Sequence, residues 1–426
     1  MKFPQAPLDA GRLAAVRASQ RSAVPPFIVM DVMEAAAARE ALGHNVIHME
    51  VGQPGTPAPR TALEAAKRAL DYDTLGYTVA LGLPALRARI AGHYRERYGL
   101  DVPPERIVVT TGSSAGFVLA FLALFDPGAK VALPSPGYPC YRHILTALGQ
   151  SPVLLPTDAA ARWMPTAQQI EAAARDGLAG LVIASPANPT GTMLESGRLA
   201  EIVAACQRCD LALVSDEIYH GLAYALPEET ALAHSGEAIV VNSFSKYFSM
   251  TGWRVGWLVV PQVLVRPIER LAQNLYISPP AIAQVAALGA FDGTDELAAN
   301  KAVYAENRAL LLRELPKAGL ERIVPADGAF YLYVDVSEFS SDSVAFTKEM
   351  LSEVGIGLNP RARVVGRIIE DEGAYGTCHI ALGSNTHFGG RLDVPFHLDM
   401  VMWLPDIAVD GRRLLKGGRL VEEAAK

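Results

Sequence analysis

Six short apolar runs without alternation are the feature that most narrows what this chain can fold into. They are Arg106–Thr111, Lys130–Leu133, Leu181–Ala184, Leu211–Ser215, Ile239–Ser243 and Val255–Val260, and most are apolar throughout. Between them, from about residue 45 to 290, lie longer Ala/Leu-rich stretches of helical period. A strand wetted on one face alternates polar with apolar residues, whereas a strand covered on both faces reads as continuous hydrophobe. The pattern therefore predicts an α/β fold, a mainly parallel sheet with helices on both faces. In such sheets ligands gather at the carboxyl ends of the strands, so polar residues there are the first candidates for function.

Beyond residue 290 the rhythm changes. The polar run GTDELAANK, Gly293 to Lys301, opens a long charged helical pattern, and a strand-like segment follows at Gly328–Val334. We expect a large domain over 51–290, a smaller α+β domain over 291–356 joined by the N-terminal segment 1–50, and an atypical tail over 357–426. Half of the 426 residues are hydrophobic, enough for a large core, while only 19% are charged and the net charge is −7. That balance provides no basic field for nucleic acid or an anionic membrane. Nowhere do eighteen apolar residues run together, and the start, MKFPQAPLDAGRLAAV, lacks an apolar stretch before a cleavage signal, so a soluble, unprocessed cytoplasmic chain is expected. Cys140, Cys206, Cys209 and Cys378 are too few for a disulfide framework. Cys206 and Cys209, in the helical run Leu199–Cys209, read as core thiols rather than as a redox or zinc pair.

The richest stretch is SFSKYFSMTGWRVG, Ser243 to Gly256, which sets Ser243, Ser245 and Lys246 directly after an apolar strand and Arg254 eight residues later. A lone lysine in that place is ordinarily a solvated surface residue; its company argues otherwise. Ser113 and Ser114 follow the strand VVTT through Gly112 and open an apolar helix, which makes either a simple N-cap or an anion site at free helix N–H groups. SPANPTG sets Asn188 at a strand end, and LVSDEIYHG does the same for Asp216 and Tyr219, where an acid also serves as a helix cap.

ANPTG, the D-E-x-Y of Asp216 to Tyr219, and S-x-S-K followed by M-T-G-W-R-x-G together resemble the fold type I, class I/II aminotransferases. The resemblance covers about residues 25–356. It implies pyridoxal 5′-phosphate as cofactor, carried by Lys246 as a Schiff base, with the displaced lysine then acting as the base that moves the substrate Cα proton. It further implies that Asp216 pairs with the pyridine nitrogen, that Asn188 and Tyr219 hold the phenolic oxygen, and that Tyr138, in PSPGYPCY, stacks on the ring. Ser113, Ser114, Ser243, Ser245 and Arg254 are implied as the phosphate cradle. Tyr77 would reach the phosphate of a neighbouring subunit, which implies a homodimer, and Gly52 would lie beside the substrate carboxylate. The implied substrates are an amino acid and a 2-oxo acid.

The C-terminal region departs from that pattern. Where the family carries an arginine for the substrate α-carboxylate, GTCHIALGSNTHFGG places His379, and none of the nearby Arg361, Arg363, Arg367 and Arg391 falls in register. From about Gly355 the chain resembles the end of thermophilic-type metallo-aminopeptidases and dihydroxypyridine dioxygenases. In those families the residues matching His379, His397 and Asp399, with Glu370 or Glu372, bind metal; here, with most of that fold absent, these are expected to be inherited residues without a metal. DIAVDGRRLLKGGRLV predicts a hairpin-rich end.

Transamination is the activity that follows most directly. The missing arginine keeps open a pyridoxal-phosphate lyase, because one cofactor apparatus serves many outcomes. A non-catalytic regulator would need a DNA-binding domain for which the residues before 25 leave no room, and a metal-dependent peptidase or dioxygenase would have to act through the tail alone.

Overall fold

The computed structural model describes residues 17–195, 197–362 and 378–383, with four further dipeptides between 408 and 420. In chain order the helices are α1 (Ile28–Ala41), α2 (Arg60–Tyr72), α3 (Pro84–Tyr98), α4 (Gly112–Leu124), α5 (Pro139–Leu148), α6 (Ala167–Ala174), α7 (Arg198–Arg208), α8 (Gln262–Leu275), α9 (Ala281–Ala290), α10 (Thr294–Glu314) and α11 (Ser343–Glu349). The strands are β1 (Ile47–His48), β2 (Ile107–Thr110), β3 (Lys130–Ser135), β4 (Ser151–Pro156), β5 (Leu178–Ala184), β6 (Ala212–Asp216), β7 (Ile239–Ser243), β8 (Gly256–Val259), β9 (Tyr331–Asp335), β10 (Ile356–Gly357), β11 (Asn359–Ala362) and β12 (Cys378–Gly383).

Seven strands form one sheet in the order β2-β8-β7-β6-β5-β3-β4. Every neighbouring pair from β7 to β4 is parallel, and β8 alone runs against both of its neighbours. The fold is thus the mainly parallel, helix-covered sheet that the sequence predicts. Its logic shows in the two faces: Ile107, Val109, Leu181, Ile183, Val240, Trp257 and Val259 pack into one apolar cluster, while the intervening Val108, Val182, Val241 and Leu258 pack into another. Since successive side chains on a strand point to opposite faces, both residue sets had to be apolar.

All six predicted runs are strands of this sheet. The seventh, β4, escaped the sequence reading because Pro152 and Pro156 look like breakers; at a sheet edge they are tolerated.

A smaller antiparallel sheet, β11-β12-β9, stands beside a two-stranded parallel pair, β1 with β10. Met49, Leu311, Leu315, Leu332, Val334, Phe346 and Ile356 make their common core, so residues near the N-terminus pack with residues more than 250 positions later. The predicted strand at Gly328 starts three residues late, at Tyr331, because Ala329 takes a left-handed backbone (φ 59°) that cannot continue a strand. In the tail, Ala408–Val409 pairs with Arg412–Arg413 and Leu415–Lys416 with Arg419–Leu420, two short antiparallel pairs where the sequence suggested strand-like runs about one turn. Among the described residues no helix is long and apolar enough to cross a membrane.

Candidate active site

Asp216 ends β6 at the carboxyl edge of the sheet and is 4% exposed. One carboxylate oxygen accepts a short hydrogen bond from the Tyr141 hydroxyl, the other accepts the Ile218 amide at 3.1 Å. Burial, the largest influence, pushes its pKa up to about 6; the two donors and Lys246 pull it down, and neighbouring Glu217 pushes it further up. The carboxylate is therefore poised to gain from a cation placed beside it.

Lys246 lies in the turn after β7. Its Nζ donates to the carbonyl of Gly52 and sits 5.7 Å from the ring centres of both Tyr219 and Phe330. Removal from water lowers its pKa to about 8, Asp216 opposes that fall and Arg254 reinforces it. Arg254 thus favours the neutral amine, but desolvation is the larger cause.

Asn188 and Tyr219 come together as the sequence suggests. The Asn188 Nδ2 donates towards Tyr219 Oη at 3.5 Å and Tyr331 Oη at 3.3 Å, and the two phenols share a 2.6 Å hydrogen bond. Among the described residues, Asn188 Oδ1 is buried without a hydrogen-bond partner. Burial drives the Tyr219 phenol well above its ordinary pKa, which keeps it protonated and a donor.

A second polar cluster surrounds the start of α4. Arg254 adopts a left-handed backbone (φ 54°), which brings its guanidinium against Gly112; a Cβ there would lie 2.5 Å from Nη2. Gly256 is equally confined, since a Cβ would approach the Ser113 amide to 3.0 Å. These two glycines let the helix N-terminus, β8 and the arginine converge. Ser243 and Ser245 are buried, with Ser243 Oγ donating to Ser245 Oγ at 2.9 Å or to the Val255 carbonyl at 3.1 Å. Ser113 is half-buried, and Ser114 and Arg254 are exposed. Tyr138 packs edge-on against Phe27 and Tyr141, and Tyr77 is 85% exposed within this chain.

Two residues were missed by sequence reasoning. Tyr141 is three positions beyond Tyr138 in the same motif, so helical spacing pointed to it; Tyr331 carries no local signal. Gly52 accepts Lys246 and also meets Tyr331, whose hydroxyl lies 1.8 Å from where a Cβ would stand. The backbone of His379 pairs with Asp335 and Arg361, and its side chain lies outside the described residues, as do His397, Asp399, Glu370, Glu372, Arg363, Arg367 and Arg391. Among the described residues no group of three metal-binding side chains occurs.

Comparison with known proteins gives this geometry its context. The family model "Aminotransferase class I and II" matches residues 44–368. A valine–pyruvate aminotransferase of Mycobacterium tuberculosis is 50% identical over 348 residues, 81% of this chain and 89% of that protein. The crystal structure of an aminotransferase from Mycobacterium tuberculosis superposes with a TM-score of 0.83 at 47% identity, over 87% of this chain and 95% of that one. An aspartate aminotransferase of Thermus thermophilus, solved with maleate, gives 0.79 at 27% identity, over 87% and 96%. These relatives are transaminases, which favours amino-group transfer over the lyase alternative. The chain belongs to the class I and II aminotransferases, enzymes that use pyridoxal 5′-phosphate to exchange an amino group between an amino acid and a 2-oxo acid.

Proposed function

We propose that Lys246 is the cofactor-bearing lysine and that the enzyme transfers the amino group of a small aliphatic amino acid to a short 2-oxo acid such as pyruvate. The observation that carries the first part is the juxtaposition of a desolvated amine with a buried carboxylate, Asp216, in one cleft. The second part rests on the 50% identity to a valine–pyruvate aminotransferase and on the apolar rings, Phe27, Tyr138 and Phe330, near the site.

The donor set fits pyridoxal 5′-phosphate. Lys246 offers an amine whose burial favours its neutral form for the aldehyde, and Asp216 an anion for the ring nitrogen. Asn188 Nδ2 and Tyr219 Oη offer donors to the phenolic oxygen, and the unpartnered Asn188 Oδ1 awaits a donor from a bound molecule. At the other end, the α4 N-terminus with Ser113 and Ser114, the Ser243–Ser245 pair and the fork of Arg254 suit a phosphate. When bound, the cofactor supplies an electron sink for the pair left when the substrate loses its Cα proton. Asp216 keeps that sink protonated at nitrogen. Lys246 would hold the proton in transit, and a pKa lowered to about 8 by burial would let it both accept and return it. Tyr138, held edge-on by Phe27 and Tyr141, would pack on the ring.

The exposed Tyr77, with Tyr72, Val79 and Ile277 exposed as well, supports a homodimer in which Tyr77 reaches the partner's phosphate site. The domain division at 50, 290 and 356, a cytoplasmic location and a metal-free tail complete the reading. The decisive experiment is an absorbance spectrum of the purified enzyme before and after a panel of amino acids. Valine or alanine should convert the cofactor to its amino form, and Lys246→Ala should lose both the covalent band and turnover. Survival of band and turnover in that variant sinks the assignment, while conversion only by dicarboxylic amino acids sinks the substrate class.

A further inference from the structure

We infer that Gln284, buried in α9, is a positioning residue that holds the Tyr77 loop in the form in which it serves the phosphate site of a second copy of this chain. The inference rests on the reading of Tyr77 given above and deepens it by naming what fixes that loop.

Between α2 and α3 the chain leaves the body of the large domain. The Asp73 amide is tied back to Ala69, but among the described residues no hydrogen bond holds positions 74–77. Tyr77, 85% exposed, ends that untethered stretch. The next residue is anchored: Thr78 Oγ1 accepts from Gln284 Nε2 at 3.1 Å and donates to the Val79 carbonyl at 3.2 Å. Gln284 is fully buried, and its other partners allow its amide one orientation. The Leu83 amide can only donate, so Oε1 faces it, at 2.7 Å; the Pro279 carbonyl can only accept, so Nε2 faces it, at 3.0 Å. The second Nε2 proton is the one given to Thr78. One side chain thus joins the residue after Tyr77, the residue before α3 and the loop before α9 that exposes Ile277. The far end of the Tyr77 loop is set separately, by the Gly82 amide on the Val79 carbonyl and the Val109 amide on the Leu81 carbonyl, both at 2.9 Å. The Gln284–Thr78 bond is therefore the tether that bears on Tyr77 itself. Holding a contact residue in place before its ligand arrives takes the cost of ordering it out of binding.

The test compares the enzyme's affinity for pyridoxal 5′-phosphate with its affinity for pyridoxal, which lacks the phosphate, each read from the cofactor's absorbance band. Thr78→Val cuts the Gln284 link while keeping the shape of the side chain. It should weaken binding of the phosphate-bearing cofactor roughly three- to tenfold and leave pyridoxal unaffected. Thr78→Ser keeps the hydroxyl and should bind both as the parent does. Gln284→Leu should show the same selective loss, with a lower melting temperature because the Leu83 and Pro279 backbone groups are orphaned. Equal weakening of both cofactors in Thr78→Val means general damage and overturns the inference. Mixed dimers locate the effect, since only a subunit that keeps Lys246 gives the covalent band. With Lys246→Ala and Thr78→Val on the same subunit, its intact partner should bind the phosphate-bearing cofactor weakly; with the two on opposite subunits, binding should be normal. Weak binding in the second arrangement alone places the effect within one chain and overturns the inference. A weakened Tyr77→Phe enzyme beside an unchanged Thr78→Val enzyme overturns the tether and leaves the reading of Tyr77 standing. Unchanged affinity in Tyr77→Phe overturns that reading and the inference with it.

Discussion

Asp216 and Glu217 are neighbours in sequence, both are buried, and they face opposite sides of the large sheet with different kinds of partner. Behind the sheet, Glu217 Oε1 accepts from Ser215 Oγ at 3.1 Å, Thr230 Oγ1 at 3.1 Å and the Ala231 amide at 2.8 Å, and Oε2 lies 3.6 Å from His220 Nδ1. His220 in turn bonds Tyr98 at 2.6 Å and donates from Nε2 to the Ser185 carbonyl at 3.0 Å. In front, Asp216 has the hydroxyl of Tyr141 and one amide. The rear carboxylate gathers three donors on Oε1, which ties loops together, while Oε2 has no hydrogen bond among the described residues; the front one has a single donor on each oxygen and lies beside Lys246. Burial raises both, but only the front one is pulled back by the amine of Lys246, whereas the rear one answers to His220 and its own donors.

Substitutions can break or sharpen this contrast. The largest effect belongs to Asp216→Ala. A unit charge pair at close range in a partly desolvated site is worth about 4 kcal/mol, so kcat/KM should fall about a thousandfold. Next is Glu217→Ala, which should destabilise the protein by about 3 kcal/mol through orphaned donors, with turnover per folded molecule lowered less than tenfold. If Glu217→Ala costs as much activity as Asp216→Ala at unchanged melting temperature, front and rear do not differ as described.

A third test uses pH. The Asp216 pKa is raised from 3.8 to about 6, so its ionisation opposes folding: the penalty is absent below pH 3.8, grows as pH rises through that interval and is complete above about 6. In the cofactor-free protein Asp216→Asn should therefore raise stability above pH 6, by up to about 3 kcal/mol, and the gain should vanish towards pH 4. A lower melting temperature for Asp216→Asn at neutral pH would contradict the account. The smallest effect is kinetic: capture of cofactor by the cofactor-free protein should quicken about tenfold per pH unit and level off near pH 8, where Lys246 loses its proton. Levelling only near 10.5, as for a solvated lysine, would show that the amine is not desolvated.

What the sequence made legible was whatever chemistry is local. Strands covered on both faces announce themselves as unbroken hydrophobe, and Asp216 and Tyr219 share one motif, as do Ser243, Ser245 and Lys246. Tyr141 and Tyr331 stayed hidden because their partners are remote: 75 residues separate Tyr141 from Asp216, and 112 separate Tyr219 from Tyr331. No spacing rule reaches that far, because the meeting is arranged by the order of strands rather than by the chain. That His379 stands where the family carries its carboxylate-binding arginine was readable, whereas the structural consequence falls on side chains outside the described residues.

The prolines that hid β4 from the sequence reading also govern what the border of the sheet can offer another strand. The amides of Ser151 and Thr157 point inward, donating to Ala129 and Ser135, so the even-numbered positions 152, 154 and 156 present the outer margin of the sheet. Two of those three are proline and have no N–H to give, which leaves Leu154 as the single even-numbered donor along that strand. At the other margin, beside β2, the Val109 amide is taken by the Leu81 carbonyl. A seven-stranded template for endless strand addition is thus blocked at one border by chemistry and shielded at the other by a loop, so that neither border invites extension of the sheet.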